Sequence, residues 1–110
     1  MNLDDVQRYL LDYDWPQSLA DPMLCWWLST KQQCPAAPLP KVIFSLDCDV
    51  GEFEWHFGES LVNVSFVVNE GFAVERQVFI CVDDEVVTGT KYGYGVDQEV
   101  IKVLQRYVPN

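Results

Sequence analysis

The chain has 110 residues and a formal net charge of −10, yet 49% of it is apolar and it holds four Trp, five Tyr and six Phe. That content excludes a disordered acidic tail, and seven Lys and Arg are too few for the phosphate contacts of direct DNA or RNA binding. One domain with one modest core is expected at this length, and no apolar run approaches the roughly 20 residues of a membrane span.

Residues 1–31 read as helical. The first six, Met1 to Val6, lack a basic region followed by an apolar one, so they are not read as a secretory leader and the protein is placed in the cytoplasm. Asn2 offers a helix cap, and Asp4 and Asp5 fall in the first turn, where the helix dipole favours negative charge. Leu3, Val6, Leu10 and Tyr13 follow helical spacing until Trp15-Pro16 stops the helix. Asp21-Pro22 then signals a second start, a cap with proline at the first helical position, and predicts a helix over Met23 to Lys31. Trp26 and Trp27 lie on adjacent faces of it. Both enter a core only if the helix is buried on two sides; an exposed one would be an oligomer or partner contact. Residues 32–40 carry three prolines and read as an extended connector.

From Lys41 the period changes to two, and 41–88 reads as an antiparallel sheet. Val42, Phe44, Leu46 and Cys48 alternate with Ile43, Ser45, Asp47 and Asp49. After a turn at Asp49-Val50-Gly51, Phe53, Trp55 and Phe57 alternate with Glu52, Glu54 and His56. Gly58-Glu59 separates a strand over Leu61 to Val68, with Val62, Val64, Phe66 and Val68 on its inner face. Asn69-Glu70-Gly71 makes the next turn, and a fourth strand runs from about Phe72 to Val82. Arg76 falls on its apolar parity, which suggests a bulge or an edge position. Asp83-Asp84 turns the chain into a short fifth strand, Glu85 to Thr88. Residues 89–95 read as a Gly/Tyr-rich loop, and 96–108 as a helix with Val96, Val100, Val103, Leu104 and Tyr107 in one stripe. The expected fold is α+β: an antiparallel four- to five-stranded meander sheet packed on one face by N-terminal helices and a C-terminal helix.

The charge is unevenly spread. Residues 1–40 hold five acids and two bases, a net of −3; 41–90 hold ten and two, a net of −8; 91–110 hold two and three, a net of +1. Asp47, Asp49, Glu52 and Glu54 share the outward parity of one hairpin, a row of carboxylates on a rigid support. Asp83, Asp84 and Glu85 form a second cluster at a turn. Such a surface can be a plain solvated face. Carboxylates opposite one another on paired strands would repel, however, and almost no Lys or Arg is interspersed, which suits a sheet built to meet a basic partner.

The remaining candidates carry less chemistry. Cys25, Cys34, Cys48 and Cys81 form no C-x-x-C pair and there is one His, so buried free thiols are expected, with no metal and no cofactor. Cys48 and Cys81 are placed on the inner parity. Asn63-Val64-Ser65 matches the glycosylation sequon but reads as strand. Gly89 to Gly95 lacks the Walker pattern; its Tyr92 and Tyr94 are suited to anchoring an interface. His56 lies outward beside Glu54 with no nucleophile to complete a triad, so no enzyme is expected.

In size, acidity and compactness the chain resembles small phage anti-CRISPR and anti-restriction inhibitors, and immunity proteins that neutralise bacterial nuclease toxins. The resemblance implies an inhibitor that occludes a basic, nucleic-acid-binding surface of a partner, whether a nuclease, a defence-complex subunit or a toxin. The expected partner-binding residues are Asp47, Asp49, Glu52, Glu54, Asp83, Asp84, Glu85, Tyr92 and Tyr94. A structural adaptor or oligomeric subunit is the alternative.

Overall fold

The computed structural model describes residues 4–12, 17–45, 50–68, 74–92 and 95–107. Two helices, α1 (Asp5–Asp12) and α2 (Gln17–Gln33), precede five strands: β1 (Lys41–Ser45), β2 (Val50–Phe57), β3 (Ser60–Val68), β4 (Val74–Val82) and β5 (Glu85–Tyr92). Helix α3 (Gln98–Tyr107) closes the chain. The strands pair in sequence order as an antiparallel meander with the helices contacting the sheet, the α+β arrangement that periodicity predicts. No described helix is long and apolar enough to cross a membrane.

Local chemistry explains most element boundaries. Asn2, the predicted cap, lies outside the described residues; Asp4 caps α1, its Oδ1 accepting from the Gln7 N–H at 2.8 Å, and the Gln7 side chain accepts in return from the Asp4 N–H at 3.1 Å. This reciprocal pair is the capping box. Helix α2 begins before the predicted Asp21-Pro22 start and carries Pro22 inside it. A proline there removes one backbone hydrogen bond and opposes a straight helix. The helix persists because Leu19, Ala20, Pro22, Met23, Trp26 and Trp27 are all buried along it. Gly51 lies inside β2 rather than in a turn, where an added Cβ would overlap the Met23 Sδ and crowd the Phe44 ring, so those side chains would have to shift.

Alternation holds through the sheet. Phe53, Trp55, Val62, Val64 and Phe66 are buried on the inner face, with Val42 and Phe44 packed against them. Trp26 stacks on Phe53 at 5.5 Å between centroids and meets Phe66 edge-on at 5.9 Å, while Trp27 lies 6.2 Å from both Phe53 and Trp55. Both tryptophans are core, because α2 is buried against the sheet and against α1. Neither is a free partner or oligomer contact. Each described indole N–H finds an acceptor, as a buried Trp requires: Trp26 donates to Asp97 (2.9 Å), Trp27 to Asp4 (2.8 Å) and Trp55 to the Pro38 carbonyl (2.8 Å). The Pro-rich connector thus supplies an acceptor to the core.

Arg76 corrects a second expectation. It sits at no bulge and no edge: β4 lies between β3 and β5, and its register with β3 is continuous from Leu61↔Cys81 to Val68↔Val74. Its inward, buried guanidinium meets the equally buried Asp97 carboxylate, with Nε 3.1 Å from Oδ2 and Nη2 3.2 Å from Oδ1. Asp97 also precedes α3, and its carbonyl accepts the first helical N–H bonds, from Val100 and Ile101. One residue therefore starts α3, neutralises Arg76 and satisfies Trp26. At its far end α3 is held by Tyr107, stacked on Phe57 at 4.5 Å and bonded to the Ser60 hydroxyl at 3.0 Å.

Strand β5 is longer than predicted and absorbs Gly89 to Tyr92, which were expected in a loop. Thr88 and Thr90 suit a pleated surface, and Gly89 pairs with Val78 without a break in register. Cys81 faces outward beside Leu61 and Val86, and Cys25 is exposed, so among the described cysteines only Cys34 is buried as expected.

Candidate protein-binding face

All three helices lie over the inner parity, and no outward side chain described on the strands is buried. The uncovered face is the candidate site. Its rows follow from the register. Lys41, Glu54, Asn63, Phe79 and Thr88 run across the five strands; the next row is Ile43, Glu52, Ser65, Gln77 and Thr90. Val50, Val67, Glu75 and Tyr92 follow, and at the other end lie His56, Leu61, Cys81 and Val86.

Glu52 and Glu54 sit where alternation predicts, and both are held. The Ser65 hydroxyl donates to Glu52 Oε1 at 2.9 Å. Glu54 accepts from Asn63 Nδ2 at 3.2 Å and from His56 Nε2 at 2.5 Å. The His56 hydrogen bond is the main cause that holds the Glu54 carboxyl below its ordinary range; partial burial opposes it, and Asn63 and Lys41 add to the lowering. Glu54 is therefore held ionised, and both carboxylates are positioned by their partners. The expected repulsion between facing carboxylates does not occur among the described residues. Glu52 lies opposite Ile43 and Ser65, Glu54 opposite Lys41 and Asn63, and Glu75 opposite Val67 and Tyr92.

The described members of the nine expected partner-binding residues do not form one patch. Asp47, Asp49 and Tyr94 lie outside the described residues. Asp83 and Asp84 form the β4–β5 turn, two strands away from β2, roughly 10 Å across the sheet. Both are exposed, and Asp83 pairs with Arg106 of α3 at 2.7 Å. Glu85 pairs with Val82 and so belongs to the helix side of the edge strand rather than the outer face. Tyr92 does lie on the outer face, 66% exposed, with its hydroxyl bonded to Glu75; that bond, with the charge behind it, raises the phenol above its ordinary range.

The turn itself is informative. Asp83 and Asp84 both have positive φ, 53° and 65°, the two-residue I′ geometry in which Asn-Gly is favoured. Aspartate tolerates this region better than most residues but less well than glycine.

Sequence reasoning missed Glu75, Phe79 and the Arg76–Asp97 pair. Phe79, 38% exposed, borders a shallow depression of about 270 Å³ with Asn63, Ser65, Gln77, Thr88 and Thr90. Its outward parity was legible in the alternation of Val78, Phe79 and Ile80, but an outward Phe carries no signal of its own. His56 touches Glu54. Among the described residues no three His, Cys, Asp or Glu side chains group as metal ligands. No protein-family model matches the chain, and neither a curated protein nor a solved structure matches it.

Proposed function

We propose that this chain is a small acidic inhibitor that binds a basic, nucleic-acid-binding surface of a partner protein and occludes it, in the manner of an anti-CRISPR or DNA-mimic protein. The observation that carries the reading is the uncovered outer face. It presents Glu52, Glu54 and Glu75 at fixed strand positions together with the exposed rings of Phe79 and Tyr92. Carboxylates steer and orient a basic partner, and aromatic anchors supply affinity. The left-handed Asp83-Asp84 turn supports it: beside the Arg106-paired Asp83, Asp84 stands exposed at a tip where glycine would relieve the backbone, which suits selection for charge. A nuclease, a defence-complex subunit or a nuclease toxin has the required basic surface.

Immobilised wild-type chain and a Glu52→Lys/Glu54→Lys variant, compared for retention of nucleic-acid-binding proteins with duplex DNA as competitor, test the proposal. DNA-competitive retention by the wild type, lost in the variant, is expected. Equal retention by both chains overturns it.

A further inference from the structure

The two edges of the sheet are built differently. Strand β1 has five residues, follows Pro38 and Pro40, and opens with the exposed Lys41, devices that blunt an edge against further pairing. Strand β5 has eight residues, an unbroken register with β4, and the uncharged run Val86-Val87-Thr88-Gly89-Thr90. Val86 and Val87 are 58% and 49% exposed, and among the described residues no strand lies on the far side of β5. A two-residue turn closes on a hydrogen-bonded pair, here Val82 with Glu85. Hydrogen-bonded pairs alternate from there, so Glu85, Val87, Gly89 and Lys91 bond toward β4. Val86, Thr88 and Thr90 aim their N–H and C=O groups at the open edge.

We infer that this edge pairs with the same edge of a second copy, antiparallel about a two-fold axis at Thr88, to give a continuous ten-stranded sheet. The charge pattern selects that register. With Thr88 opposite Thr88 of the second copy, Val86 faces Thr90, Val87 faces Gly89, and Glu85 faces Lys91, once on each side of the axis. Each outward-aimed residue then meets another, giving roughly six backbone hydrogen bonds. Glu85 and Lys91 both point to the helix side, where Lys91 already lies 3.2 Å from Glu99. Shifting the strands by two residues in either direction breaks both Glu85–Lys91 pairs. The assembly closes at two chains, because both β5 edges are consumed and both β1 edges are blunted.

The test is sedimentation across a concentration series at physiological salt, where a Debye length of about 8 Å screens the net charge, combined with amide exchange. The inference predicts a two-chain particle in which the Val86, Thr88 and Thr90 amides exchange as slowly as those of Val87 and Gly89. Thr88→Pro removes only an outward N–H, which an edge strand tolerates, and should leave a folded single chain. Lys91→Glu should weaken the dimer at least about tenfold, and Glu85→Lys with Lys91→Glu should restore it. A chain that stays single at every soluble concentration overturns the inference. So does a larger assembly, a dimer indifferent to Thr88→Pro, or one whose Val86, Thr88 and Thr90 amides remain fast.

Discussion

Asp4 shows how much one side chain can hold. It caps α1, accepts from the Trp27 indole and pairs with Lys31 at 2.9 Å. Burial alone would raise its pKa; the hydrogen bonds from Lys31, the Gln7 N–H and Trp27 together outweigh it and hold the carboxyl below its ordinary value. A depressed folded pKa means that its stabilisation is complete above the ordinary carboxylate range near 4 and is lost as pH falls through the folded value. Asp4→Asn keeps a capping oxygen but does not titrate. Its stability should therefore fall less steeply than that of wild type below about pH 5, as read by urea unfolding at several pH values. Asp4→Ala should cost about 1–2 kcal/mol at neutral pH. The sequence placed Asp4 in the first turn but named Asn2 as the cap. The Trp27 and Lys31 contacts that favour Asp4 come from 23 and 27 residues away, beyond any local pattern.

At the scale of elements, strands were legible and their ends were not. Period-two alternation is imposed by the pleat itself, so the inner faces of β2 and β3 followed directly from sequence. Pairing depends on where each turn begins, which alternation does not fix: the carboxylate row is expected to face its like across the first hairpin, whereas the register sets Ile43 and Lys41 of β1 opposite Glu52 and Glu54, with Asp47 and Asp49 outside the described residues. Pro22 and Gly89 misled for a related reason. Both are local breakers overridden by burial along α2 and by pairing with β4. Arg76 looked like a flaw in β4 because its partner Asp97 lies 21 residues on. Two predictions belong here. Asp97→Ala should destabilise the fold by about 3–5 kcal/mol, since it leaves a buried guanidinium uncompensated. Arg76→Met with Asp97→Asn, which removes both charges and keeps an acceptor for Trp26, should recover most of that loss in a thermal melt. At the β4–β5 turn, Asp84→Gly should raise stability by about 0.5–1 kcal/mol by relieving a left-handed aspartate. If the acids there serve binding, the same variant should bind its partner less well.

Across the whole molecule the net charge of −10 resolves into parts with different surroundings. Asp97 is buried and paired, Asp4 is built into the α1–α2 contact, and Asp83 is tied to α3. Glu52, Glu54 and Glu75 remain on the open face with Phe79 and Tyr92. Composition announced the acid and segment counts located it in the sheet. Only register and parity separate carboxylates that hold the fold together from those free to meet a partner. Replacing Glu52 and Glu54 by Gln keeps oxygens for Ser65 and Asn63 to bond while removing two charges, so the fold should change by no more than about 1 kcal/mol. The most direct measurement is the association rate of wild type and this variant with a captured basic partner over a range of ionic strengths. The account predicts a wild-type rate that falls about tenfold or more as salt rises to physiological strength, and a slower, less salt-sensitive rate for the variant at unchanged melting temperature. A rate indifferent to salt, or the same in both proteins, would contradict it.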